Sequence, residues 1–141
     1  SLYEAIIISD YNKGFLSKED ICFIGKNHDH VFLDTKKILG SWCKSMSYIK
    51  VNLDEYEKTK HILDEEIVDK LIITMGPEGT KYNGIMYPVP KVEIKDTSGA
   101  GDTFVAGMVS NFVKNKNIES AIKFGNRCAT KVVQKKGVSV I

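Results

Sequence analysis

The sequence has no long hydrophobic run, no excess of one charge and only three cysteines. Its longest apolar stretches, such as residues 5–8 and 71–73, are far shorter than the roughly 20 residues that span a bilayer. The net charge is +2, from 20 basic and 18 acidic residues. This balance gives no argument for a nucleic-acid or membrane partner. No basic segment followed by an apolar stretch opens the chain, so a secretory signal is not expected.

Cysteine and histidine are too few and too scattered to predict a metal centre. Cys22, Cys43 and Cys128 form an odd set without metal-site spacing, so we expect buried free thiols and a cytoplasmic protein. His28 and His30 are expected in a surface loop. With 141 residues, 43% hydrophobic and 27% charged, the chain has the size and composition of one globular domain.

Short apolar runs alternate with longer amphipathic ones, and this pattern is typical of an α/β fold with a parallel sheet. The expected strands cover residues 5–9, 30–34, 47–51 and 71–75, and a hairpin covers 80–82 and 85–89 with turns at 76–79 and 83–84. The expected helices cover residues 18–26, 53–63, 65–70, 101–113 and 118–134. Ser17 with Asp20 has capping-box spacing, and Gly137 is expected to stop the last helix.

Polar residues or glycines stand at the carboxyl ends of all four expected parallel strands. They are Asp10, Asp34, Asn52 and the segment Thr74-Met75-Gly76. Parallel sheets bind ligands beyond the carboxyl ends of their strands. The sequence therefore predicts a ligand site at this edge of the sheet.

Residues 96–103 read Asp-Thr-Ser-Gly-Ala-Gly-Asp-Thr and lead directly into an apolar helix. Gly99 and Gly101 allow a tight turn, so backbone N–H groups and the helix dipole converge where an anion can bind. Asp102 lies in the same place and is suited to take a proton from an attacking hydroxyl. The segment predicts a phosphoryl-transfer centre, although first-turn aspartates and glycine turns also occur for structural reasons alone.

The run from Asp96 to Asp102 resembles the signature of the ribokinase/PfkB family of carbohydrate kinases. Asn52-Leu53-Asp54-Glu55 is similar to the family's Asn-x-x-Glu motif, and Thr74-Met75-Gly76 to its Thr-x-Gly strand end. Asn126 is similar to a family asparagine beside the adenine pocket. The resemblance covers nearly the whole chain and implies a ribokinase-like α/β parallel-sheet sandwich, of which this chain would be the C-terminal portion.

The resemblance implies ATP-dependent phosphorylation of a sugar hydroxyl, with Asp102 as base and the N–H groups around Gly99, Ala100 and Gly101 holding the transferred phosphate. Mg²⁺ is expected near Glu55 and Asn52, held mostly by phosphate and water. The family also admits a monovalent cation beside residues 96–98. The residues expected to line the nucleotide are Asn52, Thr74, Gly76, Gly79 and Asn126.

The segment from Asp10 to Gly14 resembles the heptose 7-phosphate kinase branch of the family. Asp10 and Lys13 are its substrate-binding candidates, although a solvated loop lysine is an equal alternative for Lys13. Ribose, fructose and fructose-phosphate kinases share most of the other motifs, so the sugar stays open.

Family kinases are about twice as long as this chain, and their sugar-binding segment and lid lie in the N-terminal half. We therefore expect a C-terminal half-enzyme, and the alternative function is an inactive nucleotide-binding fragment that needs the missing half. An uncovered sheet edge or apolar face would favour self-association.

Overall fold

The computed structural model describes residues 4–10 and 14–135. The chain divides into two units, Ser1–Thr74 with Lys81–Ile85, and Met75–Thr80 with Met86–Ile141. The expected substrate residue Lys13 and the expected helix stop Gly137 lie outside the described residues.

The first unit contains four parallel strands, in each of which more than half of the residues are apolar or aromatic. They are β1 (Ile6–Asp10), β2 (Val31–Thr35), β3 (Tyr48–Asn52) and β4 (Leu71–Thr74). In their registers Asp10 pairs with Thr35, and Asn52 pairs with Thr74. The polar ends of β1 and β2 thus meet, as do those of β3 and β4. All four strands agree with the sequence prediction to within one residue at each end.

Two short strands complete a six-stranded sheet of order β1-β2-β3-β4-β5-β6. A 3₁₀ turn at Gly76–Glu78 precedes β5 (Thr80–Tyr82), and β6 spans Ile85–Tyr87. Asn83 and Gly84 between them have φ of 51° and 77°, as the two central residues of a type I′ hairpin turn require. The predicted Asn-Gly hairpin is confirmed, and β6 ends two residues earlier than expected.

Helix α1 (Lys18–Lys26) begins with the predicted capping box. The Asp20 backbone N–H donates to Ser17 Oγ at 3.0 Å, and the Ser17 N–H donates to Asp20 Oδ2 at 2.9 Å. These bonds satisfy two N–H groups that the start of the helix leaves without acceptors.

The single helix expected over residues 53–63 is instead α2 (Leu53–Thr59) followed by a 3₁₀ turn at Lys60–Ile62. The Thr59 hydroxyl donates to the Glu55 carbonyl at 3.2 Å, a bond that often bends a helix. Helix α3 is short, Glu65–Val68, with the Asp64 side chain as its N-cap.

The second unit is built on two 16-residue helices, α4 (Ala100–Asn115) and α5 (Ile118–Val133). Phe104, Met108 and Phe112 of α4 are buried, which confirms the predicted apolar stripe. At Gly125 of α5 an added Cβ would lie 2.8 Å from the Phe104 carbonyl oxygen. The two helices therefore pack closely at this point because α5 carries no side chain there.

The cysteines are free thiols, with Cys43 buried and Cys22 and Cys128 half-buried. Burial raises the pKa of the Cys43 thiol to about 11. His28 and His30 lie in a loop, as expected. Among the described residues, no group of three or more His, Cys, Asp or Glu side chains is placed to hold a metal ion. None of the helices in residues 4–10 and 14–135 combines the length and apolar character of a membrane span.

Candidate active site

The start of α4 in the second unit has the geometry expected of an anion site. Gly99 is the N-cap residue, adopts the left-handed conformation with φ of 75°, and forms no side-chain cap bond. A Cβ added at Gly99 would meet open space, so the glycine serves the backbone conformation and the access to the helix end. A 16-residue helix thus presents its N-terminal N–H groups and the positive end of its dipole without a side-chain cap.

Asp102 lies in the first turn of α4, at the third helical position, and its side chain is exposed. The Ala100 N–H donates to the Thr97 carbonyl at 3.2 Å, so one of the three predicted phosphate donors has an internal partner in this state. The exposed carboxylate and the helix end lie within one turn of backbone, as the sequence predicts for a base beside a phosphate site.

The loop before α4 is anchored at two points. The N–H groups of Lys95 and Asp96 both donate to the Val133 carbonyl of α5, at 2.7 and 3.2 Å. Asp96 Oδ1 accepts from the Ser98 N–H at 2.8 Å. Hydrogen bonds from Ser98 lower the pKa of the Asp96 carboxyl, so this turn is held by an ionised side chain.

Asn52 and Glu55 in the first unit form a capping box at the start of α2. The Glu55 N–H donates to Asn52 Oδ1, and the Asn52 N–H donates to Glu55 Oε1, both at 2.8 Å. The second carboxylate oxygen, Oε2, accepts from Lys36 Nζ at 2.6 Å. The Asn-x-x-Glu spacing therefore has a structural cause, because it fixes the Glu55 carboxylate at the carboxyl edge of β3.

Asp10, at the end of β1, is buried, with 6% of its surface exposed. Its Oδ2 accepts from the Thr35 hydroxyl at 2.9 Å and from Lys37 Nζ at 2.6 Å. The Lys37 side chain is itself only 10% exposed. Asp10 thus belongs to a buried ion pair that joins the ends of β1 and β2.

Asp34 differs from its predicted place, because β2 continues through Thr35 and Asp34 is the penultimate residue of the strand. It is the register partner of Lys50 in β3, and Lys50 Nζ lies 3.7 Å from Asp34 Oδ1. Lys50 is 5% exposed. Asn52 lies two residues further along β3 and therefore on the same face of the sheet as Lys50.

Of the predicted nucleotide residues in the 74–79 segment, two have structural explanations. The Thr74 hydroxyl donates to the Val51 carbonyl at 3.4 Å, across β3 and β4. Gly79 has φ of 107°, and a Cβ added there would clash with the Tyr87 carbonyl oxygen. The Gly79 N–H donates to the Gly76 carbonyl at 3.1 Å, which closes the turn.

Asn126 of α5 uses both ends of its side chain within the second unit. Its Oδ1 accepts from the Thr80 hydroxyl at 2.6 Å, and its Nδ2 donates to the Tyr87 carbonyl at 2.9 Å. Asn126 is 7% exposed and Thr80 is 1% exposed. The amide therefore ties α5 to the start of β5 and to the end of β6.

A cavity of about 650 Å³ lies beside Asn126 in the second unit. Residues 88–90, two of which are prolines, line the cavity together with polar side chains of α5. These side chains include Lys123, Arg127 and Lys131. The volume is in the range of small-molecule pockets. Three cations against the single acid Glu119 favour an anionic ligand.

Each unit thus holds its own set of predicted site residues. In the first unit, Asn52 forms a capping box with Glu55 and is the register partner of Thr74. In the second unit, Gly79 and Asn126 both lie against the Tyr87 carbonyl. Three lysines that pair with acids of this region were not predicted: Lys36 and Lys37 directly after β2, and Lys50 in the middle of β3. The pair Lys36-Lys37 directly after an apolar strand was the available signal.

Comparison with known families identifies the class of protein. A profile described as pfkB family carbohydrate kinase matches residues 29–140, and the chain belongs to this family. The α/β ribokinase-like fold expected from the sequence is confirmed by solved structures. A ribokinase from Thermotoga maritima has a TM-score of 0.76 at 23% identity, over 93% of this chain and 51% of that one.

Two further comparisons give the extent of the similarity. A ribokinase from Arabidopsis thaliana, solved with ribose and ATP, has a TM-score of 0.74 at 20% identity and covers 95% of this chain and 51% of its own. "Bifunctional protein HldE" of Sulfurimonas denitrificans is 30% identical over 100% of this chain and 34% of its own length. The chain thus spans about a third of that curated relative and about half of the solved structures.

Proposed function

We propose that this chain supplies the phosphate-binding and catalytic part of an ATP-dependent kinase that phosphorylates a hydroxyl of a sugar or sugar phosphate. The observation that carries the proposal is the start of α4, where a glycine N-cap without a side-chain hydrogen bond stands beside the exposed carboxylate of Asp102. Membership of the pfkB family supports the reaction class.

In the proposed reaction, Asp102 accepts the proton of the acceptor hydroxyl as its oxygen attacks the γ-phosphorus of ATP. The bond from that phosphorus to the β,γ-bridging oxygen breaks, and ADP leaves. The N–H groups of Gly99, Ala100 and Gly101 stabilise the charge on the transferred phosphoryl group. Because the Thr97 carbonyl occupies the Ala100 N–H at 3.2 Å, that long bond is shared or released when phosphate binds.

Glu55 fits the role of the acid beside Mg²⁺, because a carboxylate oxygen is the ligand this ion prefers. Its side chain is 19% exposed and held in place by the Asn52 N–H. Mg²⁺ would neutralise charge on the nucleotide phosphates, and a single protein carboxylate suits an ion that keeps most of its ligands as water and phosphate.

The residues proposed to bind the nucleotide are Thr74, Gly76, Gly79 and Asn126. The cationic cavity beside Asn126 supports a nucleotide ligand through its size and its charge. The ATP in the solved Arabidopsis ribokinase supports ATP as the phosphate donor.

A heptose 7-phosphate is the acceptor that the Asp10–Gly14 resemblance favours, and the HldE relatives are consistent with that branch. Relatives with other names, including a ribokinase and a fructokinase, keep ribose, fructose and fructose phosphate as alternatives. A screen of the complete protein against these four acceptors, with ADP release as the signal, would identify the sugar.

The role of Asp102 is tested by Asp102→Asn in the complete protein. We expect kcat to fall about a thousandfold or more because the base is lost, while ATP binding stays largely intact. Glu19→Gln is the matched control, since it neutralises an exposed first-turn acid of α1. Turnover of Asp102→Asn close to that of Glu19→Gln would contradict the assignment.

A further inference from the structure

Lys36 and Lys37 directly follow β2, and each forms an ion pair with a different carboxylate. Lys36 Nζ is 2.6 Å from Glu55 Oε2, and Lys37 Nζ is 2.6 Å from Asp10 Oδ2. Burial separates the two pairs. The Lys37 pair is 10% and 5% exposed, whereas Lys36 is 44% and Glu55 19% exposed. Lys37 is therefore fixed in the protein interior, while Lys36 is held at the solvent boundary by its charge partner.

Glu55 does not need Lys36 to keep its position. The capping box holds the Glu55 carboxylate through Oε1, at 2.8 Å from the Asn52 N–H. An ion pair as exposed as Lys36–Glu55 contributes little stability. Stabilisation of the fold is therefore a weak explanation for the ion pair between Lys36 and Glu55.

We propose that Lys36 is a mobile phosphate-binding residue. It pairs with Glu55 in the ligand-free protein and moves to a phosphate oxygen of the bound nucleotide, while Glu55 becomes available to the hydrated metal ion. The inference rests on the proposed function, since it assumes that Glu55 faces a metal-bound nucleotide.

Charge balance is the physical reason for this exchange. A lone Glu55 carboxylate would repel the triphosphate, and Lys36 neutralises it until the ligand arrives. After the exchange each charge again has an opposite partner. The Lys36 side chain suits the movement, because its ammonium group carries three donors on a flexible stem.

The first test measures the affinity of the complete protein for a non-hydrolysable ATP analogue, the β,γ-imido triphosphate, by calorimetry. Without metal, Lys36→Gln is expected to weaken binding about tenfold, the usual effect of losing one charge-assisted hydrogen bond. Lys36→Arg should restore most of the affinity. Lys60→Gln is the matched control, because Lys60 lies 2.6 Å from Glu57 with both side chains about half exposed, at 49% and 50%.

A second arm uses Glu55→Gln, which keeps a side chain that capping boxes accept. Metal-free nucleotide should bind this variant more tightly than the wild type, because Lys36 has lost its competing anion. The gain should be smaller when Lys36→Gln is added, because only the repulsion between the Glu55 carboxylate and the phosphates is then removed. A merely structural role of Lys36 predicts no such dependence.

The outcomes separate the two proposals. If the wild type does not bind the analogue with or without Mg²⁺, both the kinase function and the role of Lys36 are wrong. If the wild type binds it and Lys36→Gln behaves like Lys60→Gln, only the role of Lys36 is wrong. A gain from Glu55→Gln that is equally large with and without Lys36 would also refute the exchange.

Discussion

The Asn126 side chain offers a quantitative test of how α5 is attached to the hairpin strands. Asn126→Ala removes a 2.6 Å bond from the Thr80 hydroxyl and a 2.9 Å bond to the Tyr87 carbonyl. Both partners lie in buried surroundings, with Thr80 1% and Tyr87 7% exposed. The substitution therefore leaves one buried donor and one buried acceptor without their partner.

Leaving a buried polar group unsatisfied costs about 1–3 kcal/mol. Two such groups, with some relief from water entering the space of the lost side chain, give an expected loss of about 2–4 kcal/mol in the free energy of unfolding. Thr80→Val removes only one of the two bonds, so we expect about half of that loss. In the double variant the effects should fall short of additivity by about 1 kcal/mol or more, since the two residues share a bond.

Urea unfolding of the complete protein, followed by circular dichroism, measures these differences. Asn115→Ala is the control, because Asn115 is exposed at the end of α4 and its Nδ2 donates to Asn111 Oδ1 at 3.3 Å. A loss for Asn126→Ala within about 0.5 kcal/mol of the Asn115→Ala value would refute the reasoning, since that is the usual range of neutral surface changes. Strict additivity with Thr80→Val would refute the shared bond.

Two further substitutions and one pH effect follow from the packing. Gly125→Ala should destabilise the protein by about 1–3 kcal/mol in urea unfolding, because the new methyl group would meet the Phe104 backbone carbonyl at 2.8 Å. Gly107→Ala should cost much less, since its close neighbour is the Cys128 side chain at 2.8 Å, which can move; equal losses would contradict this comparison. Burial raises the pKa of Cys43 from 9.0 to about 11, so the folded state retains this proton more strongly. Stability should therefore fall between about pH 9 and pH 11, and Cys43→Ala should reduce that slope; an unchanged slope would contradict the assignment.

The positions of the strands follow from the apolar runs, but three of the four were predicted one residue too early. Asp10, Thr35 and Asn52 are each the last residue of their strand. Hydrophobic periodicity ends before these polar residues, although the backbone ladder includes them. Strand pairing thus includes the polar residues at the carboxyl ends, where the candidate site residues lie. A pattern of apolar residues cannot predict this extension.

The helix start at Gly99–Asp102 was predictable because every feature it needs is local. Glycine supplies the left-handed N-cap, and the acid follows within one turn. The partners of Asn126 were not predictable in this way. Thr80 and Tyr87 are 46 and 39 residues away in the sequence, and only the tertiary structure brings them to one amide.

Lys36 and Lys37 show why a pair of identical neighbours in the sequence need not share a role. The register of β1 and β2 sets Asp10 beside Thr35, so Lys37 meets a carboxylate in the interior. Removing either charge of that pair would leave the other buried without compensation, which is strongly destabilising. Lys36 meets Glu55 at the surface, where solvent makes the exchange of one anion for another inexpensive. Burial therefore gives Lys37 a structural role, although the two residues are of the same type. Lys36, which is more exposed, can exchange its partner when a ligand binds.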